Sequence, residues 1–329
     1  MRHPVQAHRS FAIGNPMNTS VNEHFLGVAC VILAVILWGT TGVSATFAPE
    51  VGAAAIGAAA MGVGGLLQAS IAIRTIARHA RALHSQWRWL LLGALAVAIY
   101  PLAFYGSMRL AGVTVGTVVS IGTAPLLSAI IEMFMDGLRI SIRWVIGAML
   151  GLLGMLLLCL AESSGHSTLS AAPSISLGVA LGLLAGLTYA LYSWVARRLM
   201  QCKIPARAAM GSIFGIGGLL LMPVLFTTGA PFLDSWNNAT VGIYMALVPM
   251  FLGYLCFGYG LARIQASTAT TITLLEPVVA AALAAVIVGE RLPKMGWIGV
   301  ALIFVCLVCI TLPAHTRKQS PAKPSPTSA

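Results

Sequence analysis

The chain has 329 residues, of which 58% are hydrophobic and only 8% charged, against about 25% charged in a soluble domain. With a mean hydropathy of +0.91, a water-soluble fold is excluded and lipid is the solvent for most of the chain. The net charge of +11 would suggest nucleic acid in a soluble protein, but here the basic residues are spread over several loops without an aromatic stacking platform, which excludes that class.

Residues 1–24 are polar, carry Pro4, Gly14 and Pro16, and lack the apolar core of a signal peptide. They are expected to be a disordered cytoplasmic tail, with Met17 offering an alternative start. Ten apolar runs follow, at roughly 25–43, 51–73, 88–108, 113–134, 142–161, 176–197, 207–227, 239–262, 267–288 and 295–312. They are continuous rather than alternating, so they predict membrane helices and not barrel strands. Small residues recur at four-residue spacing, as in Gly178, Gly182 and Gly186. That spacing lets helix backbones approach closely in lipid. Residues 313–329, rich in Pro, Ser and Lys, are expected to be a second disordered cytoplasmic tail.

Orientation follows from Lys and Arg. With the N-terminus inside, sixteen of the nineteen fall in the tails and in the loops around Arg74–Arg88, Arg139–Arg143, Arg197–Arg207 and Arg263. The three on the other face are Arg109, Arg291 and Lys294. This split predicts a multi-pass protein of the plasma (inner) membrane with both termini cytoplasmic.

The two halves can be superposed on each other. Leu26-Gly-Val-Ala29 falls on Leu177-Gly-Val-Ala180 at an offset of 151, which also brings Trp38 to Tyr189. Tyr100, Tyr105, Gly106 and Arg109 fall on Tyr254, Tyr259, Gly260 and Arg263 at an offset of 154. Pro125, Gly137 and Gly147 fall on Pro277, Gly289 and Gly299 at an offset of 152. The organisation expected is a first five-helix repeat over 25–161, an external linker over 162–175 and a second repeat over 176–312. Five is odd, so the second copy runs inverted. Inverted repeats around a central cavity are a basis of alternating access.

The chain resembles the drug/metabolite transporter superfamily, specifically its EamA-type ten-helix members. The resemblance rests on Trp38-Gly39-Thr40-Thr41, Leu275-Glu276-Pro277-Val278, Gly289-Glu290-Arg291-Leu292 and Trp297-Ile298-Gly299. It implies an all-α, basket-like bundle, a central cavity and, often, export of amino acids or related metabolites. The first repeat departs from it, with Gly137-Leu138 where the second has Gly289-Glu290.

Glu276 is the leading site candidate, because it is the one acidic residue far from a span end. A charge at membrane depth is costly and usually faces a cavity. Three roles stay open for it: a proton-coupling carboxyl, a partner for a substrate ammonium, and interhelical packing. Trp38, Tyr100, Tyr105, Tyr254 and Tyr259 are expected to line the substrate site, since buried hydroxyls need partners and aromatic faces suit amphipathic or cationic cargo. Tyr192, near a helix end, is expected in packing or an interfacial belt. Arg109 and Arg263 read as interfacial anchors. Glu132 and Asp136 read as a solvated cluster with Arg139 and Arg143. Gln68 and the threonines at 268, 270, 271 and 273 could line the cavity or bond neighbouring helices. Cys306 and Cys309 form a CxxC within an apolar run, and read as packing residues. No phosphate loop, zinc-protease or nucleophile-elbow pattern is present. No cofactor or metal is implied. The partners expected are a small-molecule substrate, the lipid bilayer and, if transport is coupled, protons, with the chain acting as a monomer or homodimer. The competing classes are an enzyme on a lipid-linked substrate and a non-transporting membrane subunit.

Overall fold

The computed structural model describes residues 16–163, 175–287 and 293–311. Gly289, Glu290, Arg291 and most of the expected linker and tails lie outside them. Among the described residues ten helices are long and apolar enough to cross a membrane: α1 (Asn22–Thr46), α2 (Ala53–Arg78), α3 (Trp87–Ala111), α4 (Val115–Asp136), α5 (Ile142–Ala161), α6 (Ile175–Gln201), α7 (Ala206–Thr228), α8 (Trp236–Leu261), α9 (Ala266–Leu283) and α10 (Lys294–Thr311). The helix containing α1 already begins at Pro16, so residues 16–24, read from sequence as tail, are helical. Proline is tolerated there because the first-turn N–H groups have no intrahelical acceptor.

The packing follows the repeat. α3 packs on α6 as α1 packs on α8, and α4 packs on α6 as α1 packs on α9. The pairs α2–α7 and α5–α10 map onto themselves when five is added to each number. Small residues make these crossings close. At α5–α10, a Cβ placed on Gly154 would lie 2.6 Å from the Gly299 carbonyl oxygen, and one on Gly299 would lie 2.5 Å from that of Gly154. Leucine, isoleucine and phenylalanine side chains such as Leu33, Leu153, Leu219 and Phe304 face outward, as a lipid-solvated bundle requires. Cys306 is buried against Gly151.

The helices are regular near the lipid and irregular in the centre. α2 contains a π-helical segment at Ala58–Val63, and α8 has one at Ala246–Leu252 around Pro249. α9 tightens into a 3-10 turn at Thr273–Leu275 immediately before Glu276-Pro277. Proline lacks the N–H that continues the ladder, and a wide or tight turn re-routes the freed carbonyls. Irregular backbone at membrane depth is tolerated where it borders protein or a cavity.

Candidate functional site

The three irregular segments meet at one cavity. It holds about 490 Å³ of empty space counted to its open mouth, and is lined from α1, α2, α3, α6, α8 and α9. Ala60 and Met61 come from the π segment of α2, and Met250 from that of α8. Glu276 follows the 3-10 turn of α9. Glu276 stands ten residues along α9 from Ala266, which is about 15 Å at helical rise and so half the ~30 Å of hydrocarbon. Among the described residues no hydrogen-bond donor or cation pairs with its carboxyl group, which opens into the cavity.

Aromatic rings form the walls and floor. Tyr100, Phe104 and Tyr105 of α3 face Trp38 of α1, Tyr189 of α6 and Tyr254 of α8. Trp38 is held in place by its indole N–H, which donates to the Pro249 carbonyl at 2.9 Å. That carbonyl lies in the π segment, so the irregular backbone and the buried tryptophan satisfy each other. Gly253 makes this fit feasible, since a Cβ there would lie 2.7 Å from the Trp38 Nε1. Gly39 does the same between α1 and α9, where an added Cβ would lie 2.6 Å from the Val279 side chain. The Trp-Gly dipeptide therefore brings α1 against α9 next to Glu276.

Below Glu276 the rings close up. Tyr254 packs between Trp38 and Phe214, with ring centroids 4.7 and 4.5 Å away. Its hydroxyl and that of Tyr192 form a hydrogen bond of 2.8 Å. This block separates the cavity from the basic end of the bundle. The lining residues of α1 and α3 come from the halves nearer the other end, so the cavity is directed to the weakly charged face.

The expected site residues Trp38, Tyr100, Tyr105, Tyr254 and Glu276 thus converge. Tyr259 does not. It is 42% exposed, and its ring carries the Arg263 guanidinium 3.5 Å from the centroid. Arg263 also pairs with Glu23 at 2.6 Å. The repeat aligned Tyr259 with Tyr105, but only the second copy has this cation–π pair with the arginine four residues on. Tyr192 packs in the interior at 0% exposure and takes no part in an interfacial belt. Gln68 donates to the Met250 carbonyl at 3.4 Å. Thr270, Thr271 and Thr273 donate to carbonyls of their own helix, so these side chains serve the backbone and not the cavity.

Glu132 and Asp136 differ most from the sequence reading. Glu132 is 2% exposed, and its two carboxylate oxygens accept the Ala266 and Ser267 backbone N–H groups at 2.7 and 3.2 Å. It caps the N-terminus of α9, where unpaired N–H groups and the helix dipole favour an anion. Asp136 accepts from the Trp194 indole at 2.8 Å and pairs with Arg198 at 3.7 Å. Neither carboxylate is a solvated partner of Arg139. Phe104, Met61, Met250 and Tyr189 are among the lining residues that sequence reasoning did not place in the site. For Tyr189 the signal existed, since the repeat superposes it on Trp38.

Comparison with known proteins bears on the family and the fold. The sequence profile described as "EamA-like transporter family" matches residues 25–160 and again residues 176–312. The chain belongs to this family. The double match also makes the two five-helix halves two copies of one family unit. An uncharacterized transporter of Bacillus subtilis (strain 168), YwfM, is 30% identical over 89% of this chain and 95% of its own. The threonine/homoserine exporter RhtA of Escherichia coli (strain K12) is 28% identical over 68% of this chain and 74% of its own. A solved crystal structure superposes with a TM-score of 0.70 over 86% of this chain and 95% of that one, at 19% identity. At that identity the likeness shows the fold alone. The family is one of transporters, so this EamA member is a multi-pass membrane transporter and not an enzyme.

Proposed function

We propose that this EamA transporter is a secondary carrier that exports amino acids or related small amine-bearing metabolites by alternating access, in exchange for protons. The observation that carries the reading is the Glu276 carboxyl group, unpaired at mid-membrane in an aromatic-walled cavity. An unpaired carboxylate at that depth is stabilised by either a proton or an ammonium group, and the two compete for the same oxygens. The facing tyrosines and Trp38 add cation–π attraction for an amine. Exclusive occupancy by proton or cargo is the condition for exchange. The cavity, closed toward the basic end, then stands in the state that releases cargo and takes up a proton. The threonine/homoserine exporter among the relatives supports amino acids as the cargo class. The sixteen basic residues on one face support cytoplasmic termini in the inner membrane.

The test is flux of threonine, homoserine and other amino acids in proteoliposomes, with and without an imposed pH gradient. The reading expects saturable flux that quickens when the cargo-receiving side is acidic. Saturable flux indifferent to the gradient removes proton exchange, and absence of flux for every amine tested removes the cargo class.

A further inference from the structure

The aromatic cavity lies between two helix pairs, α1 with α8 and α3 with α6. Within each pair the helices pack closely along their length, whereas α6 meets α8 far more sparsely. If access alternates between the two faces, α6 and α8 must part at one end while the pairs join at the other. At the basic end they are joined in this structure, and the joining groups are polar.

Two sets of bonds cross the junction. The Tyr192 hydroxyl of α6 and the Tyr254 hydroxyl of α8 share the hydrogen bond of 2.8 Å. Nearer the basic end, Arg197 of α6 donates through Nη1 to the Leu261 carbonyl at 3.0 Å and to the Ile264 carbonyl. Leu261 is the last residue of α8. Carbonyls at a helix C-terminus lack an intrahelical donor, and the helix dipole there favours a cation. Leu261 and Ile264 are both buried, so withdrawal of Arg197 leaves their carbonyls without this donor until water reaches them. Water reaches them when the cavity opens at that end.

The repeat shows what the opposite end has in place of this junction. Thr41 falls on Tyr192 and Tyr100 on Tyr254, and both face the open cavity. These hydroxyls are the counterparts of the tyrosine pair, placed to meet when the other face closes. Arg197 has no such counterpart. Thr46 stands at its position in the first repeat, and the Thr46 hydroxyl donates to the Val43 carbonyl of its own helix at 2.7 Å. We propose that Arg197 is the latch of a gate at the basic end. It holds α6 to the end of α8, releases when the cavity opens to the basic face, and biases the carrier toward the state open at the weakly charged face. The inference rests on the alternating-access reading above and is independent of the cargo and the proton.

The test uses the full chain in oriented membrane vesicles, with one reporter cysteine, Met61→Cys, on the cavity wall. The six native cysteines, all free, are changed to alanine. A charged, membrane-impermeant thiol reagent is applied from each face, and the ratio of the two labelling rates reads the balance of the open states. The parent should label mainly from the weakly charged face. R197Q should raise the share labelled from the basic face about tenfold, which corresponds to about 1.4 kcal/mol, near the low end for a hydrogen bond to a charged group. R207Q is the control. Arg207 also donates to a carbonyl of another helix, that of Ile71 at 3.0 Å, but it joins α7 to α2 and should leave the ratio at the parent value. Should R197Q fail to fold, Y192F/Y254F, which removes the hydroxyl bond and keeps the rings, carries the test with a smaller shift in the same direction. An unchanged ratio in the folded variants, or an equal shift in R207Q, would overturn the latch. If the parent's reporter is still reached from both faces, alternating access survives that failure. Labelling from the weakly charged face alone in every variant would overturn both.

Discussion

Trp38 is the residue on which the aromatic site is set. Its N–H satisfies the Pro249 carbonyl, so Trp38→Phe keeps a ring but leaves a buried acceptor bare. The expected cost is about 1–3 kcal/mol of stability, measured as a lowered unfolding midpoint in detergent, and an unchanged midpoint would show that water replaces the bond. The tyrosine pair beneath it separates bond from packing. Tyr192→Phe and Tyr254→Phe each orphan one hydroxyl, whereas the double variant removes both. Each single change should therefore cost more than half of what the double costs, with a coupling of about 0.5–1.5 kcal/mol. Strict additivity would mean that the hydroxyls do not depend on each other. At this scale sequence was a partial guide. Glu276 and four of the five expected aromatic residues, picked out by depth and duplication, line one cavity. Tyr259 could not be set aside, because the choice between cavity and surface was made by Arg263 and Glu23, and Glu23 is 240 residues away in the chain.

At the scale of the element, α9 is the piece that the site depends on. It starts at a cap supplied by Glu132 of α4, 134 residues earlier, passes through a 3-10 turn and delivers Glu276. Removing the cap by Glu132→Ala should cost about 1–2 kcal/mol and lower flux, although Glu132 lies outside the aromatic cavity. Glu132→Gln, which keeps an acceptor oxygen without the charge, should fall between the two. Full activity and stability in the alanine variant would contradict the cap's role. The helices themselves were legible, since long apolar runs leave lipid-spanning helix as the one workable structure. The cap was not. A glutamate followed by Asp136, Arg139 and Arg143 has the local pattern of a solvated charge cluster, and its actual partners are backbone N–H groups, which carry no side-chain signature.

On the scale of the whole molecule, the repeats hold each other. α1 packs on α8 and α9, α6 packs on α3 and α4, and α2–α7 and α5–α10 also join the halves. Neither half keeps those faces covered alone. Halves divided between residues 163 and 175 should therefore be degraded when expressed singly and should copurify when expressed together. Recovery of a stable single half would contradict this dependence. The repeat was readable from three drifting local matches, and the pairings follow from it by symmetry. The halves differ at the residue on which the proposed exchange rests: Glu276 falls on Ala124 in the first repeat, so in that proposal one carboxyl serves both orientations of the cavity. The most direct test of that central claim is cargo flux by Glu276→Gln in proteoliposomes, with its melting temperature measured alongside. The account predicts an intact fold and loss of net flux, because the amide neither binds the proton nor pairs with an ammonium group. Parental flux and parental pH response in the folded variant would contradict it.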